Sequence, residues 1–271
     1  MSTTAAPAIG AATSDVIPFI RYDDARAAVD WLVAALGFEA KAVFASPDGQ
    51  VGHAELRFGD AFIMVGPSKE DALGMTSPRR LGGRSSQGIC LVVDDPDAHH
   101  DRAVAAGATV VAPPADTSYG SRGYTCRDPE GNLWTVGTYR PAGAAALTPH
   151  LHYADARAAI TWLGRAFGLE ETLLVPGDGD SVVHAELRAG NGLVMAGSVP
   201  DAAFGLTAAR ELGAVNQGIY LVVADADAHQ RRAVEAGAEV VLDLKDTDYG
   251  SREYTCRDLE GNLWSFGTYR P

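Results

Sequence analysis

A stretch of 26 residues occurs twice in this chain, and that repetition constrains the fold more than any other feature. The first copy contains Tyr119-Gly-Ser-Arg122, Tyr124-Thr-Cys-Arg-Asp128 and Glu130-Gly-Asn-Leu-Trp134, and ends at Pro141. The second, Asp246 to Pro271, repeats it with few changes. Each copy reads as a hairpin: runs of β-branched and aromatic residues flank Asp128-Pro-Glu-Gly-Asn132, where proline presets φ and Gly131 and Asn132 suit positive φ. The second copy has Leu259 in place of the proline, so glycine and asparagine matter more to the turn.

The remainder of the chain aligns with itself too. Tyr22 matches Tyr153, Trp31 matches Trp162 and His53 matches His184 at a spacing of 131; Gln87 matches Gln217 at 130. One unit therefore spans 16–141 and a second 148–271, joined by a short Ala/Gly-rich linker at 142–147 that reads as flexible. Length suffices for two cores, since the chain has 271 residues, 46% of them hydrophobic. Residues 1–15 have neither a basic start nor a continuous apolar segment and read as a disordered tail.

Within unit one, Val16–Tyr22 alternates as a strand, and Asp24 caps a helix whose apolar positions Val29, Leu32, Val33 and Leu36 share a face, with Gly37 as its stop. Three strands follow, over 40–45, 51–58 and 61–65. After a loop from Gly66 to Ser86, the same order returns: strand 88–93, helix 95–106, and strands 109–112, 123–127 and 133–139. Four βαβββ modules with segregated helices and mostly antiparallel strands make the class α+β.

Net charge is −13 and the isoelectric point about 4.9. That excludes a nucleic-acid footprint and favours cationic ligands by steering. No apolar run reaches membrane-spanning length, and three cysteines without metal-type spacing fit a reducing cytoplasm.

Several side chains are candidates for chemistry. On the strand at 51–58, His53, Glu55 and Arg57 alternate with Ala54, Leu56 and Phe58, so the polar trio faces water or a cavity. His184, Glu186 and Arg188 repeat the pattern. Each His/Glu pair is either an acid–base pair, a pair of displaced metal ligands, or a polar network in a wall. Arg122 and Arg252, beside Tyr119 and Tyr249, could grip a carboxylate or phosphate, or pair with Asp116 or Asp128. Tyr124 and Tyr254 join the ligand-contacting set. Trp134 and Trp264 read as core, Cys126 and Cys256 as buried inert thiols, and His99 and His229 as surface residues at helix starts. The loops Gly66–Ser86 and Gly197–Asn216 have lid length; Met75, Arg79 and Leu81 in one, and Phe204, Leu206 and Arg210 in the other, could close over an apolar ligand.

Paired βαβββ modules, the His-Ala-Glu-Leu strand and the Asp-x-Glu-Gly-Asn-Leu-Trp hairpin together resemble the vicinal-oxygen-chelate superfamily of glyoxalases, bleomycin resistance proteins and extradiol dioxygenases. The resemblance implies two cup-shaped mixed sheets, one per module pair, with helices on the outer face and ligand in the cup. It also implies that one chain is a monomeric pseudo-dimer, or one half of a homodimer. The family's metal ligands would fall at Ile17 and Thr148, Ile63 and Val194, Gly88 and Gly218 (beside Gln87 and Gln217), and Thr135 and Ser265. None of these eight is His, Glu or Asp. The expectation is then a cofactor-free, metal-free binder that sequesters a small amphipathic compound, with cations favoured. The alternatives are a lyase, isomerase or dioxygenase using His53/Glu55 and His184/Glu186, and a structural module with closed cups.

Overall fold

Local chemistry sets the elements of the computed structural model, which describes residues 14–199 and 204–271. The first module comprises β1 (Val16–Tyr22), α1 (Ala25–Trp31) continued by a π-helical turn over Leu32–Leu36, β2 (Glu39–Ala45), β3 (Val51–Phe58) and β4 (Ala61–Pro67). The second has β5 (Gln87–Val92), α2 (Pro96–Ala105), β6 (Thr109–Asp116), β7 (Arg122–Arg127) and β8 (Leu133–Gly137). The third has β9 (Leu147–Tyr153), α3 (Ala156–Phe167), β10 (Glu170–Pro176), β11 (Val182–Ala189) and β12 (Gly192–Ser198). After the short α4 (Ala209–Leu212), the fourth has β13 (Gln217–Val222), α5 (Ala226–Glu235), β14 (Glu239–Asp246), β15 (Arg252–Arg257) and β16 (Leu263–Gly267). All four module helices start on an aspartate, Asp24, Asp95, Asp155 or Asp225, whose carboxylate accepts the N–H three residues on. Gly37, at φ 80°, ends the first of them in the left-handed conformation that glycine adopts without strain.

Two eight-stranded mixed sheets result, but each draws on both repeats. One runs β14-β15-β16-β13-β1-β4-β3-β2 and the other β10-β11-β12-β9-β5-β8-β7-β6. Module 1 thus shares a sheet with module 4, and module 2 with module 3, through the antiparallel seams β1–β13 and β5–β9. Adjacent modules in sequence do not form a common cup, as the resemblance had implied.

The apolar cores follow the opposite rule. One gathers Ile20, Leu32, Leu36, Ile63, Ile89, Tyr124 and Trp134 from modules 1 and 2; another gathers Leu151, Leu163, Val194, Ile219, Tyr254 and Trp264 from modules 3 and 4. Each repeat therefore buries its helices within itself, and the cups form where repeats meet.

The duplicated hairpin is what closes each core. Buried Asp128 accepts hydrogen bonds from the Tyr22 hydroxyl (2.8 Å), the Trp134 indole N–H (3.3 Å) and the Asn132 amide (3.0 Å). Glu130 accepts the backbone N–H groups of Asp23 and Asp24 at 2.8 and 2.9 Å, tying module 2 to the start of α1. Asp258, Glu260 and Tyr153 repeat the arrangement.

Several expectations need correction. Among the described residues positive φ is confined to glycine, so Asn132 serves the turn through its bonds to Asp128 and not through its backbone. Val33 is 40% exposed and lies off the buried face of its helix. Of the expected N-terminal tail, residues 1–13 lie outside the described residues; Ser14 and Asp15 are buried, and Asp15 pairs with Arg270. The linker is not free either: Ala144, Ala145 and Ala146 are buried, Arg188 donates to the Ala142 carbonyl, and the Ala146 N–H donates to Asp60.

Candidate functional site

Alternation along each strand decides which side chains enter a cup. In β1, Ile20 and Tyr22 turn toward the helices, leaving Ile17, Phe19 and Arg21 on the concave face. In β9, Leu151 and Tyr153 face the helices and Thr148, His150 and His152 the cup. His53, Glu55 and Arg57 on β3, and His184, Glu186 and Arg188 on β11, lie on the concave faces.

A tyrosine, a glutamate and a histidine meet in each cup. The Tyr139 hydroxyl donates to Glu186 Oε1 at 2.5 Å, and that oxygen lies 3.3 Å from His184 Nε2. In the other cup Tyr269 donates to Glu55 Oε1 at 2.5 Å, 3.4 Å from His53 Nε2. Both glutamates are buried, while the His53 side chain is 42% exposed and that of His184 21%. Burial and the neighbouring carboxylate push both tyrosine hydroxyls up to about 12, so each stays a hydrogen-bond donor at neutral pH. The tyrosine comes from one repeat and the glutamate from the other. Sequence reasoning missed Tyr139 and Tyr269 because they reach their partners only across the seam between the repeats.

The remaining candidates occupy other places. Arg57 pairs with Glu39 on the sheet's outer strand at 2.9 and 3.0 Å, and Arg188 holds the linker. Arg122 clasps Asp97 at 2.6 and 2.8 Å and Asp116 at 3.1 Å; Arg252 does the same with Asp227 and Asp246. Their guanidinium donors are thus taken up by carboxylates on α2 and β6 in one repeat and on α5 and β14 in the other. Tyr119 is exposed and stacks edge-on against Tyr139, as Tyr249 does against Tyr269. Tyr124 and Tyr254 are buried on the helix side and face away from the cups. Their hydroxyls sit 2.7 Å from His99 Nδ1 and His229 Nδ1, so these histidines belong to the packed helix layer and not to the surface. Trp134, Trp264, Cys126 and Cys256 are fully buried, and burial raises both thiols above their ordinary range.

Among the positions that the resemblance assigns to metal ligands, Ile63 and Val194 point into the cores; the concave face of β4 and β12 carries Met64 and Met195 instead. The expected position is one residue out of register. Gln87 and Gln217 share the strand faces of Ile89 and Ile219, which pack in the cores, and so are turned from the cups. What remains at those sites is isoleucine, threonine, serine and glycine, a donor set that does not fit a divalent ion. Among the described residues no three His, Cys, Asp or Glu side chains converge as a metal-binding group.

The lids differ in what they cover. Leu73 and Met75 in the segment after β4 pack against Phe19, Val215 and Leu263 over the cup of modules 1 and 4. Arg257 donates to the Leu73 carbonyl at 2.8 Å and Arg21 pairs with Asp71 at 2.7 Å, pinning that segment. Over the other cup, Arg127 donates to the Phe204 carbonyl at 2.6 Å. Arg79 is bound to the Pro129 carbonyl and Arg210 lies 3.8 Å from Glu260, so both anchor their loops to the hairpins. Two surface depressions, one lined by Arg157, Trp162 and Leu259 and one by Leu36, Phe58 and His99, lie on the helix side, away from both cups.

The model of the Glyoxalase/Bleomycin resistance protein/Dioxygenase superfamily matches residues 13–136 and again 150–266. An uncharacterised protein of Mycobacterium bovis is 39% identical over 124 residues, covering 45% of this chain and 82% of the relative. A Mycobacterium tuberculosis protein, also uncharacterised, has the same identity and covers 73% of its own length. Glyoxalase I of Zea mays shares the fold with a TM-score of 0.72 at 12% identity, over 93% of this chain and 90% of that one. A dioxygenase-like protein of Bacillus subtilis gives 0.59 at 15% identity, over 96% and 87%. No helix among the described residues is long and apolar enough to cross a membrane. With both repeats matched by its model, the chain belongs to the Glyoxalase/Bleomycin resistance protein/Dioxygenase superfamily.

Proposed function

We propose that the protein binds a small amphipathic molecule in a cup without a metal ion, as a sequestering protein of the bleomycin-resistance kind. The reading rests on the cup faces: apolar, aromatic and imidazole side chains plus a buried glutamate, with no carboxylate or imidazole at the positions expected for metal ligands. A buried carboxylate in each cup, within a chain of net charge −13, favours cations over anions. Calorimetric titration of chelator-treated protein with planar cationic dyes should show saturable binding that added chelator does not change. Tight stoichiometric uptake of zinc, nickel, manganese or ferrous ion in equilibrium dialysis would overturn the metal-independent reading.

The tyrosine–glutamate–histidine contacts support a second reading, in which the cup performs acid–base chemistry. There Glu186 or Glu55 would take a proton from the substrate, and the tyrosine hydroxyl would orient the carboxylate. Under this reading His53→Ala and His184→Ala together abolish turnover of the substrate, whereas under the first they change binding alone.

A further inference from the structure

The two cups are built from matching strands yet differ at several concave positions, three of which set the polarity of the cup floor. Where one has Phe19, Arg21 and Tyr220, the other has His150, His152 and Cys90. In the cup of modules 1 and 4 these side chains have partners. Phe19 packs into the apolar cluster with Leu73, Met75 and Leu263, and lies so close over Gly218 that a Cβ there would sit 2.2 Å from its ring. Arg21 is held by Asp71, and the Tyr220 hydroxyl accepts the Tyr269 N–H at 3.0 Å.

In the cup of modules 2 and 3 two of the counterparts, His150 and His152, each keep a ring nitrogen unpaired, while Cys90 packs against Leu193 and Met195. The His150 and His152 rings are 4.2 Å apart, and His150 lies 6.2 Å from His184. His150 Nε2 and His152 Nδ1 are buried with no hydrogen-bond partner, and His152 is only 6% exposed. Orphaned buried polar atoms are uncommon, and a ligand that pairs with them removes their desolvation penalty. Burial keeps both rings neutral, lowering His152 to about 4 and holding His150 well below its ordinary value, with His152 and His184 adding to the effect on His150. A neutral imidazole offers one lone pair and one N–H. Alongside lie Met195, Leu193, Cys90 and the Glu186 carboxylate, whose ion-pair partner among the described residues is His184. Arg127 and Arg188 are committed to backbone carbonyls. This environment repels anions and suits molecules with polar hydrogens.

We propose that the cup of modules 2 and 3 alone is the ligand site, where His150 and His152 recognise an uncharged or cationic compound bearing N–H or O–H donors, while the other cup is filled by the chain's own side chains. This rests on the binding reading above and narrows it to one cup and one ligand class.

Proflavine, a planar cation with two amino groups, is a direct probe. Fluorescence titration of the full chain should give one dye per chain. His150→Phe and His152→Arg, which copy the residues of the filled cup, should each weaken binding about tenfold or more. Phe19→His should leave the affinity unchanged. His152→Gln, which keeps a polar side chain of similar reach, guards against misfolding of the larger replacements, with circular dichroism melts as the check. Two dyes per chain, or affinity unmoved by His150→Phe and His152→Gln in folded protein, would overturn the single-cup assignment and leave the binding reading intact. Absence of dye binding to the wild-type chain would remove both.

Discussion

Asp128 carries more of the fold than any catalytic candidate does. Its two oxygens accept five hydrogen bonds, from Tyr22, Trp134, the Asn132 side chain and the N–H groups of Glu130 and Asn132. Burial raises its carboxyl above the ordinary range, and those donors pull the other way. Asp128→Asn replaces one acceptor with a donor facing donors, so it is expected to destabilise the protein by roughly 2–4 kcal/mol in urea unfolding. Acid should act through the buried histidines. His152 titrates at about 4 when folded against an ordinary 6.5, so on acidification the unfolded chain takes up its proton first. Stability is unaffected above 6.5, falls between 6.5 and 4 by up to roughly 3 kcal/mol, and then levels off. The raised carboxyls of Asp128 and Asp258 act in the opposite sense, so comparison with His152→Gln, whose melts should lose that part of the slope, isolates the histidine. Period-two alternation puts His53, Glu55, His184 and Glu186 on the strand face opposite the core, and the family resemblance makes that face the inside of a cup. The sequence marks His150 and His152 too, but only when the repeats are compared for their differences, because function that resides in one half shows where the halves disagree.

Among the elements, the lid after β4 shows how a loop becomes structure. Met75 is 3% exposed, bridges to Val215 and caps the apolar cluster above Phe19. Met75→Ala should cost about 2–3 kcal/mol and expose residues 67–86 to limited proteolysis, read as faster cleavage with the remaining chain intact. The strands and helices themselves are legible, since alternation, aspartate caps and the glycine stop are local signals. Strand register in depth is less so: Ile63 and Met64 are both apolar, and only packing against α1 decides which one faces the core.

At the scale of the molecule, each repeat owns its core and shares its sheets. A fragment ending at residue 147 keeps the first core, Leu147 included, but leaves β1 and β5 as unpaired edges. It is therefore expected to pair with itself, giving twice the fragment mass in size-exclusion chromatography with light scattering; a stable monomer would contradict the seam as the source of assembly. Repetition, alternation and turn chemistry, all local in the chain, determined by themselves that there are four βαβββ modules and what each is made of. Which module completes which cup was decided only in three dimensions. The matching strands of the two repeats present equivalent edges, so no residue types at β1 distinguish β5 from β13, and the choice falls to the way two closed cores fit side by side.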